Sequence, residues 1–212
     1  MNYSEEQDEI IKSVDIIRQH DSPGSWYKFN GDAVSRIVME HIDKHVKARE
    51  MKVAGPNAFI DGFSTEFDLL ITGRNAEPKP HTNSYKPEDV HIAIEVKTSG
   101  MFGGKKTPSP DGGMLSVVDD VKKNYENMVN KFKDTQEKNP KIKLAYLSIH
   151  EQNGGVRKGK DGKYGMDYIA LAHKISEENK NVGAFILSNN RATPVPCPGE
   201  WKSFVQFISE PG

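Results

Sequence analysis

Hydrophobic residues recur every three or four positions in four segments of the chain, a spacing typical of amphipathic helices. These segments are residues 4–20, 31–52, 115–138 and 166–179. Ser4 and Gln7 form the pattern of a capping box at the start of the first segment. We therefore expect a helical N-terminal support over residues 1–25, followed by a helix that opens the core of the domain.

Short apolar runs, some of them alternating with polar residues, predict strands between and after these helices. They are residues 58–60, 66–71, 90–97, 142–149, 182–188 and 204–208. In the clearest of them, 90–97, every second residue is valine or isoleucine. Because strands and helices alternate along 212 residues, the sequence predicts one α/β domain, residues 1–212, with a mixed central β-sheet flanked by helices.

Composition excludes several classes of protein. Apolar runs are only a handful of residues long, far short of the roughly 18 that cross a bilayer, so no membrane association is expected. The acidic start of the chain lacks the features of a secretory signal, and we expect a cytoplasmic protein. Cys197 is the only cysteine, which excludes an intrachain disulfide and a thiolate zinc site. The prolines around it predict a stiff surface turn.

Charge is distributed unevenly along the chain although the net charge is only −1. Residues 1–96 carry a net charge of −6, whereas residues 97–163 carry +6. Such a basic segment suits a phosphate-containing partner, but it is equally typical of a solvated helix and lysine-rich loops. Charge alone leaves both interpretations open.

Two predicted strands place acidic residues within apolar runs. On the first, Glu66 and Asp68 share one face, and on the second, Glu95 and Lys97 share one face. Mg²⁺ prefers oxygen ligands and typically uses one or two carboxylates. Asp68, Glu95 and the main-chain carbonyl of Val96 would supply such ligands, with Lys97 beside a bound phosphate. The pattern therefore predicts a metal site that acts on phosphate.

The order of these residues and elements is similar to that of a known family. Asp68 on one strand, Glu95-Val96-Lys97 on the next, and a helix on either side resemble the restriction-endonuclease-like PD-(D/E)xK nucleases and their α-β-β-β-α-β core. The resemblance extends over about residues 31–190, with helices and strands in the same order. Phe67 stands where the family name has proline.

The resemblance implies a metal-dependent nuclease of the restriction or repair type that hydrolyses phosphodiester bonds, with Asp68, Glu95 and Lys97 as catalytic residues. Its implied cofactor is Mg²⁺, for which Mn²⁺ can substitute. Its implied partner is nucleic acid, expected to be double-stranded DNA, and a homodimer is one option for its assembly. Glu66 is expected to support the first ligands or to hold a second metal.

Basic and polar residues of the +6 segment are candidates for contacts with the nucleic acid. They follow the second acidic strand directly, on a glycine-rich loop, on the flanks of the predicted helix 115–138 and on a later loop. The candidates are Lys105, Lys106, Lys122, Asn124, Arg157 and Lys158.

A second hypothesis assigns the chain no catalysis. The same fold with an idle acidic site would be a nucleic-acid-binding or assembly module, with its charges facing solvent and its ion pairs contributing little. Metal affinity distinguishes the two hypotheses, because only the nuclease requires its carboxylates to hold a cation.

Overall fold

The computed structural model describes residues 2–19, 26–99, 106–108, 114–116, 118–151, 168–189 and 194–210. Its helices are α1 Tyr3–Gln19, α2 Trp26–Val46, α3 Val118–Lys138, α4 Tyr168–Glu178 and α5 Glu200–Ser209. Its strands are β1 Met51–Ala54, β2 Ala58–Ile60, β3 Glu66–Phe67, β4 Leu69–Gly73, β5 Ser84–Tyr85, β6 Val90–Ser99, β7 Lys106–Pro108, β8 Met114–Ser116, β9 Lys143–His150 and β10 Val182–Ser188. None of the helices in these ranges has the length and apolar character needed to cross a membrane.

Five strands form the central sheet in the order β1-β4-β6-β9-β10. β4 is antiparallel to β1 and to β6, whereas β6, β9 and β10 are parallel to one another. Parallel neighbours require a crossover connection, and α3 and α4 lie in the two connections concerned. Every residue of β9 and β10 is buried, as expected for strands covered on both faces.

Alternation along β6 divides its side chains between two layers of helices. Ile92, Ile94 and Val96 pack in a core with α1, α2 and α5, which we call the α1–α2–α5 core. Ala93, from the opposite face, belongs to a core with α3 and α4, which we call the α3–α4 core. The predicted fold class, a mixed central sheet flanked by helices, is confirmed.

The chain bends at Asp68, so the uninterrupted strand predicted over 66–71 is wrong. β3 pairs with β2 in a separate three-stranded sheet, while β4 belongs to the central sheet. In one continuous strand Phe67 and Leu69 would share a face. Instead, Phe67 packs in the α3–α4 core and Leu69 in the α1–α2–α5 core, which requires a change of direction between them.

The last element is helix α5, and the strand predicted over 204–208 is wrong. Its buried residues are Glu200, Trp201, Phe204, Val205 and Ile208. The apolar members of this set follow helical spacing and form one face that packs in the α1–α2–α5 core. A short apolar run suits a strand or a helix equally, and packing against the sheet decides between them.

Helix α2 ends at Val46, earlier than the predicted end at residue 52. A short 3₁₀ helix, Lys47–Arg49, follows, and Glu50 has a left-handed conformation with φ of 57°. This conformation terminates the helix, and the Glu50 N–H donates to the Lys47 carbonyl. The chain can then enter β1, which pairs with β4 at one edge of the sheet.

Gln7 attaches helix α1 to the sheet and does not form the predicted capping box. Its side-chain amide donates to the main-chain carbonyls of Leu187, over 2.9 Å, and Cys197, over 2.8 Å. The start of the helix is capped instead by Asn2, whose Oδ1 accepts from the Ser4 N–H over 3.2 Å. Partners almost the full length of the chain away therefore determine the position of Gln7.

Cys197 is buried, and the prediction of a surface turn is wrong in this respect. Only 4% of the residue is exposed. Its N–H donates to the Leu187 carbonyl over 2.8 Å, and its neighbour Pro196 forms an isolated bridge with Ser188. The proline-rich segment therefore packs along the outer edge of β10.

Glu6 joins three helices of the α1–α2–α5 core through a buried carboxylate. The indole N–H of Trp201 donates to Glu6 Oε2 over 2.9 Å, and His45 Nε2 lies 2.9 Å from the same oxygen. His41 Nδ1 lies 3.5 Å from Oε1. Burial by itself raises the pKa of Glu6, but the contacts with Trp201 and the histidines outweigh it and hold the pKa below its ordinary value. The carboxylate is therefore ionised in the folded protein at neutral pH.

Glu6→Gln is expected to lower the stability of the folded protein by about 1.5–3 kcal/mol at pH 7, because charge-assisted hydrogen bonds are lost. A lowered pKa in the folded state stabilises the protein above the unfolded pKa, and this stabilisation is lost as the pH falls through the folded pKa. The difference between wild type and Glu6→Gln in urea unfolding should therefore shrink below about pH 4. Glu40→Gln, on the exposed side of α2, is the matched control. A difference that is constant from pH 7 to pH 3 would contradict this account.

Candidate active site

Asp68 and the segment Glu95–Lys97 meet because of the register between β4 and β6. Leu69 pairs with Ile94 in this antiparallel ladder, which places Asp68 beside the next residues of β6. The Val96 N–H donates to Asp68 Oδ2 over 2.7 Å. A main-chain donor of β6 therefore fixes the carboxylate of Asp68 at the point where the chain bends.

Lys97 and Glu95 form an ion pair on the side of β6 that faces the α3–α4 core. Lys97 Nζ lies 2.5 Å from Glu95 Oε1, since residues two apart on a strand point to the same side. The lysine side chain is 37% exposed and the glutamate side chain 13%. The pair thus lies at the margin of the core, where a phosphate or water can approach the ammonium group.

Tyr146, on the neighbouring strand β9, forms one wall of the site. It is the register partner of Glu95, and its ring centroid lies 6.0 Å from Lys97 Nζ. Burial raises the pKa of Tyr146, and the charges of Glu95, Asp68 and Glu151 raise it further. The phenol therefore stays neutral and cannot act as a base at physiological pH.

Glu151, which accepts a hydrogen bond from Ser148, adds a third carboxylate at the same end of the sheet. Ser148 is the register partner of Lys97, and its hydroxyl donates to Glu151 Oε2 over 3.2 Å. Glu151 follows β9 directly and is only 1% exposed. The sequence did not predict Tyr146, Ser148 and Glu151 as site residues, because the register of β9 with β6 is not visible in the chain. The one signal available was the polar character of Tyr146 and Ser148 at alternate positions.

A cation at this site would be held by few protein ligands. Within the part of the chain that the structure describes, no group of three or more His, Cys, Asp or Glu side chains is arranged to hold a metal ion. Asp68 and Glu95 offer two neighbouring carboxylates. Their two negative charges exceed the single positive charge of Lys97, which favours the binding of a cation. This donor set fits Mg²⁺, which commonly binds one or two carboxylates and completes its shell with water and phosphate.

Glu66 lies apart from this face, so the argument that placed it beside Asp68 is wrong. It is in β3, paired with Phe59 of β2 in the small sheet, and is exposed. The bend at Asp68 separates the two residues, which in a continuous strand would have pointed the same way.

The structure describes the predicted nucleic-acid contacts only in part. Lys105, Arg157 and Lys158 lie outside the described residues, and Lys106, Lys122 and Asn124 lie on β7 and α3, where only the backbone is described.

The fold is similar to that of NucC nucleases. The structure of P. aeruginosa ATCC27853 NucC in its cAAA-bound form aligns with a TM-score of 0.53 and 9% sequence identity, over 98% of this chain and 87% of that chain. Structures of E. coli MS115-1 NucC give a TM-score of 0.45 for the cAAA-bound form, at 14% identity over 81% of this chain and 68% of that one. The apo form gives 0.47, at 10% identity over 100% and 93%. No protein-family model and no curated protein sequence matches the chain. The similarity concerns the fold.

Proposed function

We propose that this protein is a metal-dependent nuclease that hydrolyses phosphodiester bonds of double-stranded DNA. The observation that carries the proposal is the position of Asp68, which is held by the Val96 N–H next to the residues of the Glu95–Lys97 ion pair. Similarity to the NucC nuclease fold supports the same reaction class. The grouping of two carboxylates with an ammonium group suits a site that acts on phosphate better than a surface without a catalytic role.

Each residue of the site has a distinct part in the proposed reaction. Asp68 and Glu95, with the main-chain carbonyl of Val96, would hold Mg²⁺ or Mn²⁺. When bound, the ion would stabilise negative charge at the phosphate and lower the pKa of a water molecule at the site. Lys97, exposed at the margin of the core, donates to the phosphate oxygens and stabilises their negative charge as water attacks phosphorus.

The experiment that tests the proposal measures cleavage of plasmid, linear duplex and single-stranded DNA with Mg²⁺, Mn²⁺ or EDTA. Because a similar solved structure is a cAAA-bound form, each reaction is run with and without cAAA. Cleavage that requires the metal supports the nuclease. DNA binding without cleavage under any condition, together with no heat of Mn²⁺ binding in calorimetry, would establish the non-catalytic module instead.

The net charge of +6 over residues 97–163 supports a polyanionic substrate, because this segment begins at Lys97 itself. The proposed contacts are Lys105, Lys106, Lys122, Asn124, Arg157 and Lys158. Each phosphate neutralised on duplex DNA contributes about 0.9 to the slope of log K against log salt concentration.

Lys105→Ala/Lys106→Ala is expected to weaken duplex binding and to make the salt slope shallower by about one to two units. Binding is measured by fluorescence anisotropy in Ca²⁺, which prevents turnover. The matched control is Lys44→Ala/Lys47→Ala, which removes two exposed lysines. Lys44 lies on α2, in the helix layer on the opposite side of the sheet, and Lys47 lies on the 3₁₀ helix that follows α2. An unchanged slope in the loop variant would show that these lysines do not contact the DNA backbone.

A further inference from the structure

Tyr146 presents its aromatic ring to Lys97, the residue proposed to contact the phosphate. Tyr146 is 9% exposed, and Phe132 of α3 packs against its ring in a T-shaped arrangement with centroids 5.5 Å apart. Lys97 projects from the neighbouring strand on the same face, with Nζ 6.0 Å from the ring centroid and over its surface. A buried ring therefore lies within the range of a cation–π contact with the ammonium group.

The proposed reaction creates a positioning problem for Lys97. Its ammonium group lies 2.5 Å from Glu95, which is also a proposed metal ligand. A divalent cation on Glu95 would neutralise that carboxylate and repel the ammonium group. Lysine has a flexible side chain, so Lys97 then needs another surface to hold it.

We infer that Tyr146 is a positioning residue for Lys97. The face of the Tyr146 ring holds the Lys97 ammonium group beside the reacting phosphate when Glu95 binds the metal. The inference rests on the proposed function and deepens it. The ring carries the effect, so the hydroxyl is dispensable. Cation–π contacts of about 0.5–2 kcal/mol correspond to a factor of about 2 to 30 in rate.

The kinetic test compares Tyr146→Leu with Tyr146→Phe. Tyr146→Leu should lower kcat by about 2- to 30-fold with little change in KM or Mn²⁺ affinity, whereas Tyr146→Phe should stay near wild type. In the Lys97→Ala background Tyr146→Leu should cause no further loss, because the ring then has no ammonium group to hold. Phe132→Leu, which reduces the same core contact but leaves the ring of Tyr146 in place, controls for packing and should keep kcat within about threefold.

A second measurement needs no catalysis and separates this inference from the proposed function. In protein labelled with ¹³C-lysine, the ε-methylene signal of Lys97, assigned from its absence in Lys97→Ala, should be shifted by the ring current of Tyr146. The shift should persist in Tyr146→Phe and vanish in Tyr146→Leu. Equal kcat losses from Tyr146→Leu with and without Lys97, or a Lys97 signal that does not respond to Tyr146→Leu, would overturn the inference. Absence of cleavage in wild type would instead overturn the proposed function.

Discussion

Asp68→Asn and Glu95→Gln are each expected to abolish metal binding and DNA cleavage together. Either change removes one of two neighbouring carboxylates, and a cation held by so few ligands does not tolerate the loss of a negative charge. Metal ions contribute several kcal/mol to phosphoryl transfer, so cleavage should fall by about 10³-fold or more. The amide oxygen of Asp68→Asn can still accept from the Val96 N–H, which makes this variant a test of charge rather than of folding.

Calorimetry with Mn²⁺ measures the first effect and plasmid cleavage in Mg²⁺ the second. Asp134→Asn makes the same chemical change on the exposed side of α3 and should keep both activities. Thermal unfolding of each variant shows whether the fold is retained. Folded Asp68→Asn protein that binds Mn²⁺ and cleaves at the wild-type rate would remove Asp68 from the site.

Lys97→Ala is expected to separate the two activities. Its ammonium group contacts Glu95 over 2.5 Å but contributes no oxygen ligand, so the variant should bind Mn²⁺ at least as tightly as wild type. Cleavage should fall by about 10²–10³-fold, since removal of one donor that stabilises charge in the transition state typically has this effect.

The control for this variant is Lys133→Ala, which removes an exposed lysine from α3. It should change neither Mn²⁺ binding nor the cleavage rate. Calorimetry and cleavage are measured on the same preparations as for the carboxylate variants. Wild-type cleavage by Lys97→Ala would remove this residue from the mechanism, while a loss of Mn²⁺ binding would show that it helps to build the metal site.

Sequence patterns predicted the central elements well wherever local periodicity and packing agree. The segment 90–97 has valine or isoleucine at every second position and the segment 182–188 is largely apolar, and the structure places β6 and β10 there. The failures share a cause: a short apolar segment has no preferred conformation of its own, and its partners choose one. The run at 204–208 became part of α5 because one helical face fits the core beneath it.

The amino-acid sequence by itself determined the fold class and the candidate site residues on β6, because alternation on a strand decides which side chains share a face. Glu95 and Lys97 therefore pair as their spacing requires. Only the tertiary structure decided what surrounds them. The bend at Asp68 separated Glu66 from the site. The parallel pairing of β6 with β9 placed Tyr146, and Glu151 directly after β9, beside Glu95 and Lys97. Contacts between strands far apart in sequence depend on register, which is set by how two complete faces pack and not by any local pattern.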